Sequence, residues 1–268
     1  DVVAYQSKRD KKNGKTKTIG LVHNLIPHER HVADEKLSAK FMKQIDGFVS
    51  LSDSVRDDIL RLDNSKPVET TPHPLYDNFG EIVSKEQAKA NLGLDGSVNY
   101  LLFFGIVRQY KGLDWLLEAF ADERIDKSKT KLIVAGEFYD KQDEYMQLIA
   151  NYGLEDSIVM ANHFIADKEV VNYFCAADMI VQPYKHATQS GGTQIAYHFD
   201  RPMLVTDVGG LREIVPHGKV GYVVEPNPQS VADALVDFYS NNKENEFAAG
   251  VKQEKQRYTW DKMVTVVS

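Results

Sequence analysis

Cysteine is almost missing from this sequence: Cys175 is the only one in 268 residues. A single thiol excludes an intramolecular disulfide framework and a cysteine-cluster zinc site. It fits a reducing, cytoplasmic setting. No run of eighteen apolar residues occurs, so no membrane-spanning helix is expected. The opening Asp1 and "VVAYQ" lack the basic-then-apolar pattern of a signal peptide. G-x-G-x-x-G, P-loop and G-x-S-x-G motifs are all absent. His23, His28 and His31 lie close together, but no pair has the helical two-ligand spacing with an interposed glutamate. No metal site is expected from them. An excess of positive charge is also lacking. The net charge of −7 argues against a general nucleic-acid binder. "SKRDKKNGKTK" is a local exception, read as a solvated loop or as a contact with an anionic membrane face.

What is present is alternation. "YLLFF" (Tyr100 to Phe104) is a continuous apolar run, as expected of a strand buried on both faces. Leu113, Leu116, Leu117 and Phe120 then recur at helical spacing. "KLIVA", "SIVMA", "DMIVQPY", "PMLVT" and "GYVVE" read as further strands, most of them followed by helical patterns. Such alternation predicts βαβ units and a parallel sheet covered on both faces, an α/β fold. In folds of this kind ligands sit at the carboxyl ends of the strands. "GIVRQYKG", "GEFYD", "NHFIAD", "YKHATQSGG" and "DVGGLRE" should therefore share one rim.

Earlier in the chain, "TIGLVH" and "GFVSLS" read as strands, with a helix near Leu37 to Gln44 between them and another at "SVRDDILRL". "TTPHPLYDNFG" is broken by proline and reads as a linker. Two or three strands do not complete a doubly wound sheet. The first part is therefore expected to be the end of a further α/β domain, in a fragment or a chain whose first residues are absent.

The rim segments carry the candidate chemistry. Gly105 ends a buried strand and allows a ligand close to the backbone, with Arg108 and Lys111 just before a helix. Two cations beside a partly positive helix start suit a diphosphate; turn glycines with solvated cations are the plainer explanation. In "HATQSGG", Ser190, Gly191 and Gly192 open a helix whose first N–H groups suit an anion; a helix start capped by Thr188 or Ser190 is the alternative. Glu213, after Gly209 and Gly210, would cap its turn, pair with an arginine or touch a ligand. His23 stands at a strand's carboxyl end, where it could bind or deprotonate a hydroxyl. Cys175, within an apolar helix, reads as core.

"FFGIVRQYKGLDWLLEAF", "LIVAGEFY", "YFCAADMIVQPY", "RPMLVTDVGGLREIV" and "GKVGYVVEP", in this order, resemble the carboxyl half of the group 1 (family 4) retaining glycosyltransferases of GT-B architecture. The likeness runs from about Tyr100 to Asn227, and more weakly from Gly20 to His73. It implies two Rossmann-like domains, a UDP- or GDP-linked sugar donor on the second and a saccharide or lipid-linked acceptor on the first, with no cofactor and no catalytic metal. On that resemblance, residues 1–75 are part of the acceptor-side domain and 76–98 a linker with a short helix. Residues 99–250 are the nucleotide-sugar domain, and 251–268 a tail helix. Arg108 and Lys111 match the basic pair at the donor diphosphate. Glu137, Phe164, Ile165 and Ala166 fall where the nucleoside is expected. His23 resembles the histidine that faces the sugar. The family's two glutamates, eight positions apart, are replaced by Ala187 and Ile195. Thr188, Gln189 and Gln194 are then the candidates for the sugar and ribose contacts. The expected setting is the cytoplasm, including the inner face of the membrane.

Overall fold

Two parallel sheets organise the computed structural model, which describes residues 17–23, 25, 34–76, 78–139, 141–187 and 189–267. The chain divides into two compact units: Asp1–Pro74 with Arg257–Ser268, and Leu75–Gln256. His28, His31, Thr188 and most of the basic run lie outside the described residues.

The first unit holds a three-stranded parallel sheet of order β1-β2-β3. Its strands are β1 (Ile19–Val22), β2 (Gly47–Ser50) and β3 (Val68–Thr70). Helix α1 (Asp34–Met42) links the first two strands and α2 (Asp53–Leu62) the last two. Ser52 starts α2 by accepting a hydrogen bond from the Val55 N–H at 3.3 Å, so Val55 and Ile59 point into the core. They pack with Val22, Leu25, Met42, Ile45 and Phe48. The strand β3 was not expected. It is short and only half-buried, so it lacks the apolar run that marks the others.

The second unit carries a six-stranded sheet of order β6-β5-β4-β7-β8-β9, every pairing parallel. Its strands are β4 (Asn99–Phe104), β5 (Thr130–Ala135), β6 (Ile158–Ala161), β7 (Met179–Gln182), β8 (Met203–Thr206) and β9 (Gly221–Val224). Helix α3 (Lys85–Asn91) precedes β4. The strands are joined through α4 (Leu113–Phe120), α5 (Gln142–Asn151), α6 (Asp167–Ala176), α7 (Gly191–His198) and the short α8 (Leu211–Ile214). Leu113, Leu116, Leu117 and Phe120 on α4 are fully buried against Leu101, Phe103, Leu132 and Val134, as their periodicity predicts. Helix α9 (Pro228–Ser240) starts with Asn227 accepting from the Ser230 N–H at 2.9 Å and with proline in its first turn. The stretch 251–268, expected as one helix, contains the end of α10 (Glu244–Glu254), a single 3-10 turn and α11 (Trp260–Val267).

Strand β4 leads outward to β5 and β6 on one side; β7 leads to β8 and β9 on the other. The chain reverses direction across the sheet between β4 and β7. A crevice forms at such a reversal, beyond the carboxyl ends of the strands. The loops after β4 and β7 flank it.

Candidate functional site

Glycines bring the two flanking loops together. Gly105, directly after β4, has φ +99°, and a Cβ there would lie 3.0 Å from the Lys111 Nζ. The space beside its backbone is thus taken by the Lys111 ammonium. Residues Gln109–Lys111 make one 3-10 turn, closed by Gly112 in the left-handed region at φ +70°. A Cβ on Gly112 would stand 2.0 Å from the Pro183 carbonyl oxygen, so only glycine lets the β4 loop lie on the β7 loop. The Lys185 N–H donates to the Tyr110 carbonyl at 2.7 Å. The Tyr110 and Tyr184 rings meet edge-on at 6.0 Å. From the next strand, the Thr206 hydroxyl donates to the Tyr184 carbonyl at 2.5 Å. The rim is therefore fastened across β4, β7 and β8.

The cations on this rim differ in what the protein offers them. Lys185 is paired with Asp114 at 2.5 Å and lies 5.0 Å from the Trp115 ring centroid. Arg108 lies over the Tyr139 ring at 3.9 Å. Lys111 is half-buried, 6.0 Å from the Tyr184 ring, and no carboxylate pairs with it among the described residues. Burial, and then the charge of Arg108, pull its pKa down to about 8. A desolvated cation beside a second cation is costly unless an anion joins it.

Helix α7 begins on the same rim, after β7. Ser190 is its N-cap residue but makes no capping hydrogen bond; its hydroxyl instead meets the Tyr184 hydroxyl at 3.3 Å. Capping by Ser190, the alternative to anion binding, is thus not what the structure shows. Gly191 is exposed and approaches Tyr76, whose ring lies 3.7 Å from a Cβ built there. Gly192 has no room for a side chain, because a Cβ would meet the Gln182 Nε2 at 2.0 Å. First-turn N–H groups lack helical partners and suit an anion. Three amide side chains near this turn are strained for partners. Both amide atoms of Gln182 and of Gln194, and the Gln189 Nε2, are buried without a hydrogen bond. Gln194 is only 2% exposed, whereas Gln189 is half-buried on the rim. Ala187 and Ile195 are both buried at 7% exposure.

The remaining candidates are spread along the same edge. Glu137 is exposed after β5, and its carbonyl accepts from the Val107 N–H at 2.8 Å. Phe164 is 68% exposed after β6, whereas Ile165 next to it is buried. Ala166 precedes α6, and its N–H donates to the Glu169 carboxylate at 3.3 Å. Glu213 lies exposed on α8, where the neighbouring Arg212 forms an ion pair with Asp207. His23 stands at the end of β1 in the first unit, its ring edge-on to His73 at 5.3 Å. Partial desolvation and then the His73 charge hold its pKa below the ordinary value, favouring the neutral imidazole. Cys175 is buried, and burial raises its thiol pKa. Sequence reasoning missed Tyr139, Tyr184 and Gln182. An aromatic in each of two rim loops, and one amide ending an apolar strand, were the available signals. Among the described residues, no group of three or more His, Cys, Asp or Glu could hold a metal ion. No described helix is long and apolar enough to cross a membrane.

A doubly wound parallel sheet with two cations at its switch point defines the class, an α/β protein. The particular family follows from comparison. The model for "Glycosyl transferases group 1" matches residues 98–241, so the chain belongs to the group 1 glycosyltransferases. Over 183 residues it is 27% identical to a D-inositol 3-phosphate glycosyltransferase of Corynebacterium urealyticum, covering 66% of this chain and 43% of that one. The chain thus spans less than half the length of this curated relative. The fold is GT-B. Sucrose-phosphate synthase from Thermosynechococcus elongatus superposes with a TM-score of 0.80 at 17% identity, covering 98% of this chain and 69% of that one. Anabaena Alr3699/HepE in complex with UDP gives 0.81 at 16% identity, covering 98% and 73%.

Proposed function

We propose that this chain binds a nucleotide-diphospho-sugar, UDP- or GDP-linked, on its second unit. The sugar passes, with retention, to a saccharide or lipid-linked acceptor. The half-buried Lys111 ammonium, without a carboxylate partner among the described residues, carries the reading. Arg108, Lys111 and the first amides of α7 offset the charge of the leaving diphosphate, and no resident metal is needed for that. Gln189 serves the sugar or ribose with an amide that both donates and accepts. Glu137 and Phe164 to Ala166 border the nucleoside. His23, on the first unit, is the candidate catalytic group. The setting is the cytoplasm or the inner face of a membrane. The structure solved with UDP in a GT-B neighbour supports the donor class.

The test is binding of UDP and GDP by titration calorimetry. Lys111→Ala and Arg108→Ala should each weaken the nucleotide that binds by about 1.5–3 kcal/mol, the range for charged hydrogen bonds. Wild-type affinity in both variants would remove the diphosphate from this loop. A second reading rests on Ala187 and Ile195, which carry no hydrogen-bonding group where the family has glutamates. On that reading the chain binds nucleotide sugars without turning them over. Hydrolysis of intact donor by the protein would reject it.

A further inference from the structure

Tyr139 is two-thirds exposed, at 66%, yet it is held in place. The β4 and β5 strands continue to bond beyond their ends. The Val107 N–H donates to the Glu137 carbonyl at 2.8 Å, and the Tyr139 N–H donates to the Val107 carbonyl at 3.2 Å. Val107 and Phe138 form a further parallel bridge. Behind the bridge, Phe138 packs against Tyr145 of α5 with ring centroids 5.6 Å apart. Backbone pairing thus fixes the origin of the Tyr139 side chain relative to residue 107. The next residue along the β4 loop is Arg108, and its guanidinium carbon lies 3.9 Å from the Tyr139 ring centroid.

We infer that Tyr139 is a positioning residue, a ring that holds the Arg108 guanidinium at the angle from which it meets a diphosphate. Arginine has many rotamers, and one that binds an anion must give most of them up on binding. Stacking on an aromatic face removes part of that cost in advance, because the plane of the guanidinium is already set. Lys111 needs no such support, since it is held between Gly105 and Tyr184. Burial thus holds Lys111, and a ring supplied from the neighbouring strand's loop contributes to holding Arg108. This inference rests on the proposed diphosphate site.

The experiment is a double-mutant cycle on UDP and GDP binding, with Arg108→Ala, Tyr139→Ala, Tyr139→Phe and the Arg108→Ala/Tyr139→Ala pair. Uridine and guanosine, which lack the diphosphate, serve as controls. Tyr139→Ala should weaken the binding nucleotide roughly three- to five-fold, the size of an exposed cation–π contact, and leave the nucleoside unaffected. Tyr139→Phe should restore wild-type affinity, because the ring face and not the hydroxyl is used. In the Arg108→Ala background, Tyr139→Ala should have no further effect. A loss that remains in that background, or that extends to the free nucleoside, would mean that the ring contacts the base, and would overturn the inference. Tyr139→Ala binding like wild type while Arg108→Ala is weakened would overturn it alone. Arg108→Ala binding like wild type, or no binding of either diphosphate by the unaltered protein, would overturn both the diphosphate site and the inference.

Discussion

In the proposed site, Lys111 is a residue expected to be poor for stability and good for binding. Its pKa of about 8 lies below the ordinary lysine value of 10.5, with burial the larger cause and Arg108 the smaller. Between those two pH values the unfolded chain holds more protons than the folded one. Stability therefore rises with pH through this window, and below about 8 the charged lysine opposes folding. Lys111→Met should then raise stability at pH 7 by about 1 kcal/mol, a modest figure because part of the side chain is still in water. The gain should vanish above pH 10.5. Nucleotide affinity should behave in the opposite sense: in the wild type it falls as pH rises through about 8, and in Lys111→Met that dependence disappears. Denaturant melts at pH 7 and 10.5, beside calorimetry from pH 6.5 to 9, measure both. Equal stability of the two proteins at pH 7 and a pH-independent wild-type affinity would show that Lys111 is not desolvated.

At the scale of elements, the loop after β4 is shaped by Gly112 more than by its charges. Gly112→Ala places a methyl group 2.0 Å from the Pro183 carbonyl oxygen at φ +70°, so the loop must leave the β7 segment. Gly153 has nearly the same φ, +64°, but nothing within 4 Å. Gly153→Ala should cost only about 1 kcal/mol, the conformational penalty, whereas Gly112→Ala should cost at least about 2–4 kcal/mol. Urea unfolding of the two variants separates strain from collision. The comparison also shows what the sequence made legible. Six continuous apolar segments revealed the strands of the second sheet, since a strand buried on both faces has few polar residues. Gly105, Arg108 and Lys111 could be placed on its rim for the same reason. That Gly112 is a contact and Lys111 a desolvated cation could not be read, because both depend on Pro183 and Tyr184, about seventy residues further on. Three-residue β3, half-buried and without an apolar run, gave no pattern to find. Ile165 was grouped with Phe164 by proximity in sequence, but only Phe164 is exposed.

On the scale of the whole molecule, charge and contact both favour the second unit for the proposed nucleotide site. The chain is acidic overall, at −7, and so would repel a nucleotide from most of its surface. Arg108, Lys111 and Lys185 gather on the carboxyl edge of one sheet, and all three belong to the unit Leu75–Gln256. That unit has its own six-stranded sheet and a core running through β4, β5, β7, β8, α4 and α9. Its boundary at Leu75 lies in a segment without regular structure and the one at Gln256 in a single 3-10 turn, so cutting there severs no strand and no α-helix. Residues 75–256 produced alone should therefore fold and bind the same nucleoside diphosphate as the full chain, within about three-fold. Binding should also persist in EDTA, since the proposed charge neutralisation uses side chains and helix amides. Donor turnover should be lost, because His23 is on the other unit. A folded 75–256 fragment, judged by a cooperative melt, that bound neither UDP nor GDP while the full chain did would show that the first unit supplies part of the nucleotide site. Loss of binding in EDTA with recovery on adding manganese would instead transfer the diphosphate's counter-charge from Lys111 and Arg108 to a metal.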